Sequence, residues 1–177
     1  MQFTPNGPDI PERLVIEHEE GNVIFFCGAG ISIPAGLPSF FDLAKRLDKE
    51  LHIDIDDKEL ENKTCDQLLD EFEHTIVKRC RPMLLNLLKI GRTPNLNTHL
   101  ALLKLATQNK NDFIRLVTTN YDRLFEKAFA KLRINHKYFS APTLPIPKKT
   151  KWDGIVYLHG LLPKKENETE LNNLVIT

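Results

Sequence analysis

Gly21-Asn22-Val23-Ile24-Phe25-Phe26-Cys27-Gly28-Ala29-Gly30-Ile31-Ser32-Ile33-Pro34-Ala35-Gly36-Leu37-Pro38-Ser39-Phe40 is the stretch that decides the fold. Val23 to Cys27 is an unbroken apolar run of strand length. It predicts a strand buried on both faces, as in a parallel sheet. Gly28-Ala29-Gly30 follows without a gap. Glycines let the backbone turn tightly and let another molecule approach its N–H groups. Ser32 adds a hydroxyl, and Pro34, Gly36 and Pro38 stiffen the loop that leads into an amphipathic helix. A strand, a glycine turn and a polar loop at the strand's C-terminal end are what a nucleotide site in an open α/β sheet requires. The stretch is not a dinucleotide fingerprint, because the third glycine of Gly-x-Gly-x-x-Gly would fall on Ile33. Gly-Ala-Gly alone is equally a tight turn and nothing more, so the rest of the chain must decide.

Upstream, residues 1–10 form a loose lead-in. Pro11 to Glu20 predicts a short helix stopped by Gly21, with Leu14, Val15 and Ile16 toward the sheet. Downstream, Ser39-Phe40-Phe41-Asp42 fits a capping box. It predicts a helix starting near Phe40, with Phe40, Leu43, Ala44, Leu47 and Leu51 on one face. Thr64-Cys65-Asp66-Gln67 is a second capping box, and Leu68, Leu69, Phe72, Ile76 and Val77 follow at helical spacing. Pro82 suits the first turn of a helix from Met83 to Ile90, stopped by Gly91. Asn97 or Thr98 caps a helix carrying His99, Leu100, Leu102, Leu103 and Leu105. Residues 39–107 are therefore a long helical excursion between two strands.

Phe113 to Thr118 is the second strand candidate. It ends in Thr119-Asn120-Tyr121-Asp122 and opens a helix from about Arg123 to Leu132. His136 to Phe139 predicts a short strand, and residues 141–151 a stiff basic loop. Gly154 to Leu158 is a further strand, ending in His159-Gly160. Residues 163–170 read as a polar loop, and Leu171 to Thr177 as the start of another strand.

The chain has 177 residues, 41% hydrophobic and 27% charged. At this length a core can bury roughly 70% of the unfolded surface. Lys+Arg and Asp+Glu are equal at 24 each. That balance gives no general attraction to nucleic acid or to an anionic membrane. The cysteines, Cys27, Cys65 and Cys80, form no Cys-x-x-Cys pair, so no structural zinc site is expected. Cys27 is expected as a core thiol. No targeting segment and no apolar run near ~20 residues is found, so the expected location is cytoplasmic.

Three strands end in three polar groups: Gly28-Ala29-Gly30-x-Ser32, Thr119-Asn120-Tyr121-Asp122 and His159-Gly160. In a parallel sheet all three lie along the C-terminal edge, where ligands bind. Blander readings stand beside this one. Asn120 and Asp122 could simply cap the helix that follows. His99, among leucines, reads as a packed, hydrogen-bonded histidine. Ser32 has no neighbouring base, which argues against a serine nucleophile. The acidic residues Asp54, Asp56, Asp57, Glu59 and Glu61 read as a solvated loop rather than a metal site. Lys148, Lys149 and Lys151 with Trp152 read as an exposed loop rather than a nucleic-acid contact.

In content and order these pieces resemble the sirtuin superfamily, the silent information regulator-like domains. Within it they resemble the NAD-hydrolysing branch found in bacterial anti-phage defence proteins. The matching pieces are Gly28-Ala29-Gly30-Ile31-Ser32, Gly36-Leu37-Pro38-Ser39-Phe40, Pro94-Asn95-Leu96-Asn97-Thr98-His99, Thr119-Asn120-Tyr121-Asp122 and His159-Gly160. The resemblance implies an α/β, Rossmann-like parallel sheet with flanking helices, in one NAD-binding domain over residues 1–177. It also implies more sheet beyond Leu174-Val175-Ile176-Thr177, so that the C-terminal part of the sheet is expected to be missing.

By the same resemblance, Gly28, Ala29, Gly30 and Ser32 would cradle the pyrophosphate and nearby ribose. Phe40 would cover the nicotinamide side, with Pro38 and Thr119 completing the binding set. Asn120 would orient water and the nicotinamide ribose, Asp122 would hold the carboxamide, and His159 would be the catalytic histidine. The implied activity is cleavage of NAD, as substrate and without a metal, to nicotinamide and ADP-ribose. The alternatives are a sensor that binds NAD or ADP-ribose with little turnover, or a protein ADP-ribosyltransferase or deacylase. The implied partners are further copies of the chain and a second protein such as a hexameric ATPase, with no membrane and no direct nucleic-acid contact. Gly36-Leu37-Pro38-Ser39-Phe40-Phe41 lacks the Asp and Arg of the deacylase motif Gly-Ile-Pro-Asp-Phe-Arg. The paired Cys-x-x-Cys module is also missing, which favours hydrolysis over deacylation.

Overall fold

A computed structural model describes residues 1–53, 55–56, 58, 62–63, 67–68, 80–145, 152–165 and 167–175. The expected capping box at 64–67, most of the helix after it, most of the acidic patch and Lys148, Lys149 and Lys151 lie outside the described residues.

Four short strands form one sheet: β1 (Phe25–Cys27), β2 (Arg115–Thr118), β3 (Tyr138–Ser140) and β4 (Gly154–Tyr157). Their order is β1-β2-β4-β3, and every pairing is parallel. The architecture is the α/β, Rossmann-like one that the sequence predicts. The register is level. Cys27 pairs with Thr118, Thr118 with Tyr157, and Tyr157 with Ser140. The strands therefore end in a single row.

One face of the sheet is closed by two helices, α4 (Asn97–Thr107) and α5 (Leu124–Leu132). Side chains alternate along a strand, so Cys27, Leu116, Ile155 and Tyr157 meet Leu103, Ala106, Phe125, Ala128 and Phe129 in one core. Leu116 is fully buried on the central strand, a burial worth about 1.5–3 kcal/mol.

On the other face the expectation for β1 fails. Phe26 is 65% exposed and Ile24 52% exposed. β1 is an edge strand, so its apolar run is buried on one side only. The first helix, α1 (Glu12–Glu19), also departs from expectation. Leu14 and Ile16 are exposed, and only Val15 turns partly inward.

The excursion contains α2 (Phe40–Leu51) and α3 (Cys80–Leu87). The Ser39 capping box is present: its hydroxyl accepts from the Asp42 N–H at 3.1 Å and donates to the Asp42 carboxylate at 2.6 Å. That bond holds the Asp42 carboxyl below its usual range. Leu43, Ala44, Leu47 and Leu51 face inward as predicted. They pack with Leu84, Leu162, Leu171 and Leu174 in a second core. α3 ends at Leu87, short of the expected Ile90. α4 is capped by neither Asn97 nor Thr98; the Asn95 side chain accepts from the Asn97 N–H at 3.0 Å instead.

Two further corrections fall near the C-terminus. Leu171 does not begin a strand. It lies in α6 (Glu168–Asn172), whose cap is the Asn167 side chain. Leu171 and Leu174, three residues apart, both turn into the second core, which suits a helical turn and not an extended strand. Trp152 is buried rather than part of an exposed loop.

Candidate active site

The level strand ends bring the three polar groups to one edge. The ladder runs one residue past the strands. The Thr119 N–H donates to the Cys27 carbonyl at 3.2 Å, and the Leu158 N–H to the Thr118 carbonyl at 2.9 Å. Beyond that the chains leave the sheet and their side chains collect around a cavity of about 400 Å³. Of the residues singled out in the sequence, Gly28, Ala29, Ser32, Pro38, Phe40, Thr119, Asn120, Asp122 and His159 line it. Gly30 does not. The excursion supplies Leu43 and Leu88, and Leu37 and Tyr121 complete the lining. Leu88 carries no local signal of a site. Its place depends on how α3 packs against α2, which spacing along the chain does not record.

Gly28 leads into a 3-10 turn over Ala29–Ala35. Its backbone is extended (φ −116°), a conformation open to any residue. Among the described residues a Cβ at Gly28 would meet only Thr119 Oγ1, at 3.8 Å, and a Cβ at Gly30 would meet nothing within 4 Å. The protein's own packing therefore demands glycine at neither position. The bare backbone leaves room for another molecule.

A buried hydrogen-bonded chain lies behind the cavity wall. The Ser32 hydroxyl donates to Asp122 Oδ2 at 2.7 Å, and Asp122 Oδ1 accepts the Leu124 N–H at 2.9 Å. Asp122 thus holds the first N–H of α5, whose N-cap position is Arg123, and anchors Ser32 at once. Asn120 Nδ2 donates to the Gly28 carbonyl and to Ser32 Oγ, each at 3.1 Å. Its own N–H is held by Thr118 Oγ1 at 3.1 Å. Ser32 is 2% exposed, and its hydroxyl is committed to a carboxylate rather than presented as a nucleophile.

His159 follows β4 and is half-buried at the cavity. Two contacts set its backbone. Its carbonyl accepts the Val175 N–H at 2.8 Å, while Tyr121 Oη donates to the Val175 carbonyl at 2.8 Å. The Tyr121 ring lies 5.9 Å from the imidazole. Gly160 then turns with φ +94°, where a Cβ would press on Leu174 at 3.0–3.1 Å and on the Asn173 carbonyl oxygen at 3.2 Å. Here glycine is required by the fold. The imidazole makes no hydrogen bond among the described residues and is available to a ligand.

Beneath the site, His99 is fully buried, as expected of a core histidine. The expected hydrogen bond is absent: neither ring nitrogen has a partner among the described residues. The ring packs edge-on against Phe125 at 4.8 Å. Burial holds its pKa below the ordinary value, although the Asp122 charge pulls the other way. Tyr157 is likewise buried, its hydroxyl unpartnered among the described residues and its pKa pushed up by burial. Cys27 is the expected buried free thiol, also shifted upward by burial. Among the described residues no His, Cys, Asp or Glu cluster could hold a metal, and no helix is long and apolar enough to cross a membrane.

Residues 114–177 match the model of the SIR2-like domain. The chain is 34% identical over 150 residues to the NAD(+) hydrolase ThsA of Acinetobacter baumannii (strain 532279), covering 84% of this chain and 29% of that protein. It is 32% identical over 190 residues to the uncharacterized protein y4cA of Sinorhizobium fredii (strain NBRC 101917 / NGR234), covering all of this chain and 15% of that protein. The chain thus spans less than a third of the length of either relative. A level parallel sheet, a glycine turn facing a cavity, and Asn120 and His159 at neighbouring strand ends accompany that match, and residues 114–177 carry a SIR2-like domain.

Proposed function

We propose that this domain cleaves NAD at the nicotinamide–ribose bond with water, giving nicotinamide and ADP-ribose, in a bacterial anti-phage defence protein. The observation that carries this reading is the cavity that gathers Asn120, Asp122 and His159 against a glycine turn with open space before it. Its volume of about 400 Å³ lies at the low end of the ~300–1,000 Å³ typical of ligand sites. That suits the nicotinamide and its ribose, with the pyrophosphate over Gly28, Ala29 and Gly30 and the adenosine beyond.

The chemistry asks little of the protein. Nicotinamide leaves C1′ as a neutral molecule, taking the bonding electron pair, and positive charge builds on the ribose. Water adds to C1′ and gives up a proton. His159, with a free imidazole at the cavity, is the group to take it. Asn120 holds the water or a ribose hydroxyl in place. Leu37, Phe40, Leu43 and Leu88 keep bulk water from the glycosidic bond. We further propose that the active species is an oligomer or a complex with a second defence protein.

The test is incubation of the chain with NAD, with nicotinamide and ADP-ribose followed by chromatography, beside Asn120→Ala and His159→Ala. Nicotinamide release that both substitutions abolish supports the reading. NAD binding by calorimetry without release makes the domain a sensor instead. Release that survives both substitutions refutes the assignment of the site.

A further inference from the structure

We propose that Ser32 is a positioning residue that fixes which way the Asn120 carboxamide faces, so that Asn120 offers the cavity an acceptor only. The available protons decide the orientation. Both oxygens of Asp122 accept hydrogen bonds, from Ser32 Oγ and from the Leu124 N–H. Ser32 has one hydroxyl proton, and it goes to the carboxylate. Toward Asn120 the same oxygen can then only accept. The Gly28 carbonyl, the other group facing Asn120, is an acceptor by nature.

Two acceptors at 3.1 Å therefore consume both protons of Asn120 Nδ2. A flipped amide would set Oδ1 against two oxygens in a buried site, where unpaired polar groups are costly. Among the described residues Oδ1 has no partner, and Asn120 lines the cavity. What it can offer a ligand is a lone pair.

This has a consequence for the ligand. The group opposite Asn120 must be a hydrogen-bond donor, a hydroxyl or a water, and not an anionic oxygen. The substrate part of the inference rests on the NAD reading above. There the donor is a ribose hydroxyl or the attacking water, and the lone pair of Oδ1 sets its orientation toward C1′. Ser32 does not touch the substrate in this account. It acts through Asn120, and Asp122 acts through Ser32.

The experiment uses the full 177-residue chain labelled with ¹⁵N. The side-chain amide pair of Asn120 is assigned by its loss in Asn120→Ala. In Ser32→Ala one of its two protons moves upfield and exchanges faster with solvent, while the Leu124 amide stays protected. Should Ser32→Ala fail to fold, Ser32→Cys, with a thiol that is a poor acceptor, gives the same shift in smaller measure. An Asn120 pair unchanged in the folded variant overturns the inference. In parallel, kcat for NAD cleavage falls roughly tenfold in Ser32→Ala, the size of one lost hydrogen bond, with KM within about twofold of the wild type. A rise in KM alone overturns it by making Ser32 a substrate contact. If the wild-type chain cleaves no NAD, the function reading fails, and the resonance shift still decides the role of Ser32.

Discussion

Replacing His99 by leucine tests the buried layer beneath the site. In the folded protein the ring is fully buried and both nitrogens are unpartnered among the described residues, so the neutral form is favoured and the pKa lies below 6.5. In the unfolded chain the ring titrates near 6.5. Above that pH both states hold it neutral, and it adds no pH dependence. As the pH falls below 6.5 the unfolded state takes up a proton that the folded state refuses, so stability falls. The loss approaches about 1.4 kcal/mol per pH unit until the folded pKa is reached.

At neutral pH two terms oppose each other in the leucine variant. Removing an unsatisfied buried polar group gains about 1–3 kcal/mol. Losing the edge-on contact with Phe125 costs about 0.5–1.5 kcal/mol. The variant should therefore match or exceed the wild type by about 1 kcal/mol at pH 7.5. The assay is urea unfolding at pH 7.5 and pH 5.5. Between these values the wild type should lose more than His99→Leu, by at most about 1.4 kcal/mol. Equal losses in both proteins would refute the reasoning. So would a variant weaker by about 3 kcal/mol at pH 7.5, because the ring nitrogens would then be paired in the folded protein.

Gly30→Ala should leave thermal stability within about 1 kcal/mol of the wild type, since the added methyl meets nothing within 4 Å, yet weaken NAD binding by calorimetry at least tenfold. Gly154→Ala should be severe, about 3 kcal/mol or more in urea unfolding, because φ is +138° and the new Cβ would sit 2.2 Å from the Lys137 carbonyl oxygen. Arg123 binds Glu126 through two bonds, at 3.0 and 2.5 Å, and donates to the Leu162 carbonyl at 2.7 Å. Arg123→Ala leaves Glu126, 17% exposed, without that partner and should cost about 2 kcal/mol, with Arg123→Lys recovering less than half because it cannot bind in bidentate fashion.

The strand ends were legible because each is a short apolar run that stops abruptly in polar residues, and a parallel sheet aligns such stops at one edge. The strand-end positions of Asn120, Asp122 and His159 and the Ser39 cap follow from local spacing, while the roles expected of the first three are what the family resemblance implies. The faces of β1 and α1 were not legible. Phe26 and Leu14 are as apolar as core residues, and the exposure of Phe26 goes with β1 lying at the sheet edge, which strand order decides. The cavity wall at Leu88 and the helical turn at Leu171 depend on packing across the excursion. Ser32 was visible as a hydroxyl beside the glycine turn. Its place between Asp122 and Asn120 joins residues some ninety positions apart, and only the folded chain supplies it.

The level row of Cys27, Thr118, Tyr157 and Ser140 limits how this chain can vary in length. A strand advances ~3.3 Å per residue and reverses its side chains at each step. One residue inserted before Thr118 would carry Asn120 past its partners at Gly28 and Ser32 and turn it to the wrong side of the sheet. The same insertion between Lys164 and Lys165, which are exposed before α6, would be absorbed there. Length variation among functional versions of this domain should therefore gather in the connections and spare the few residues that set the row.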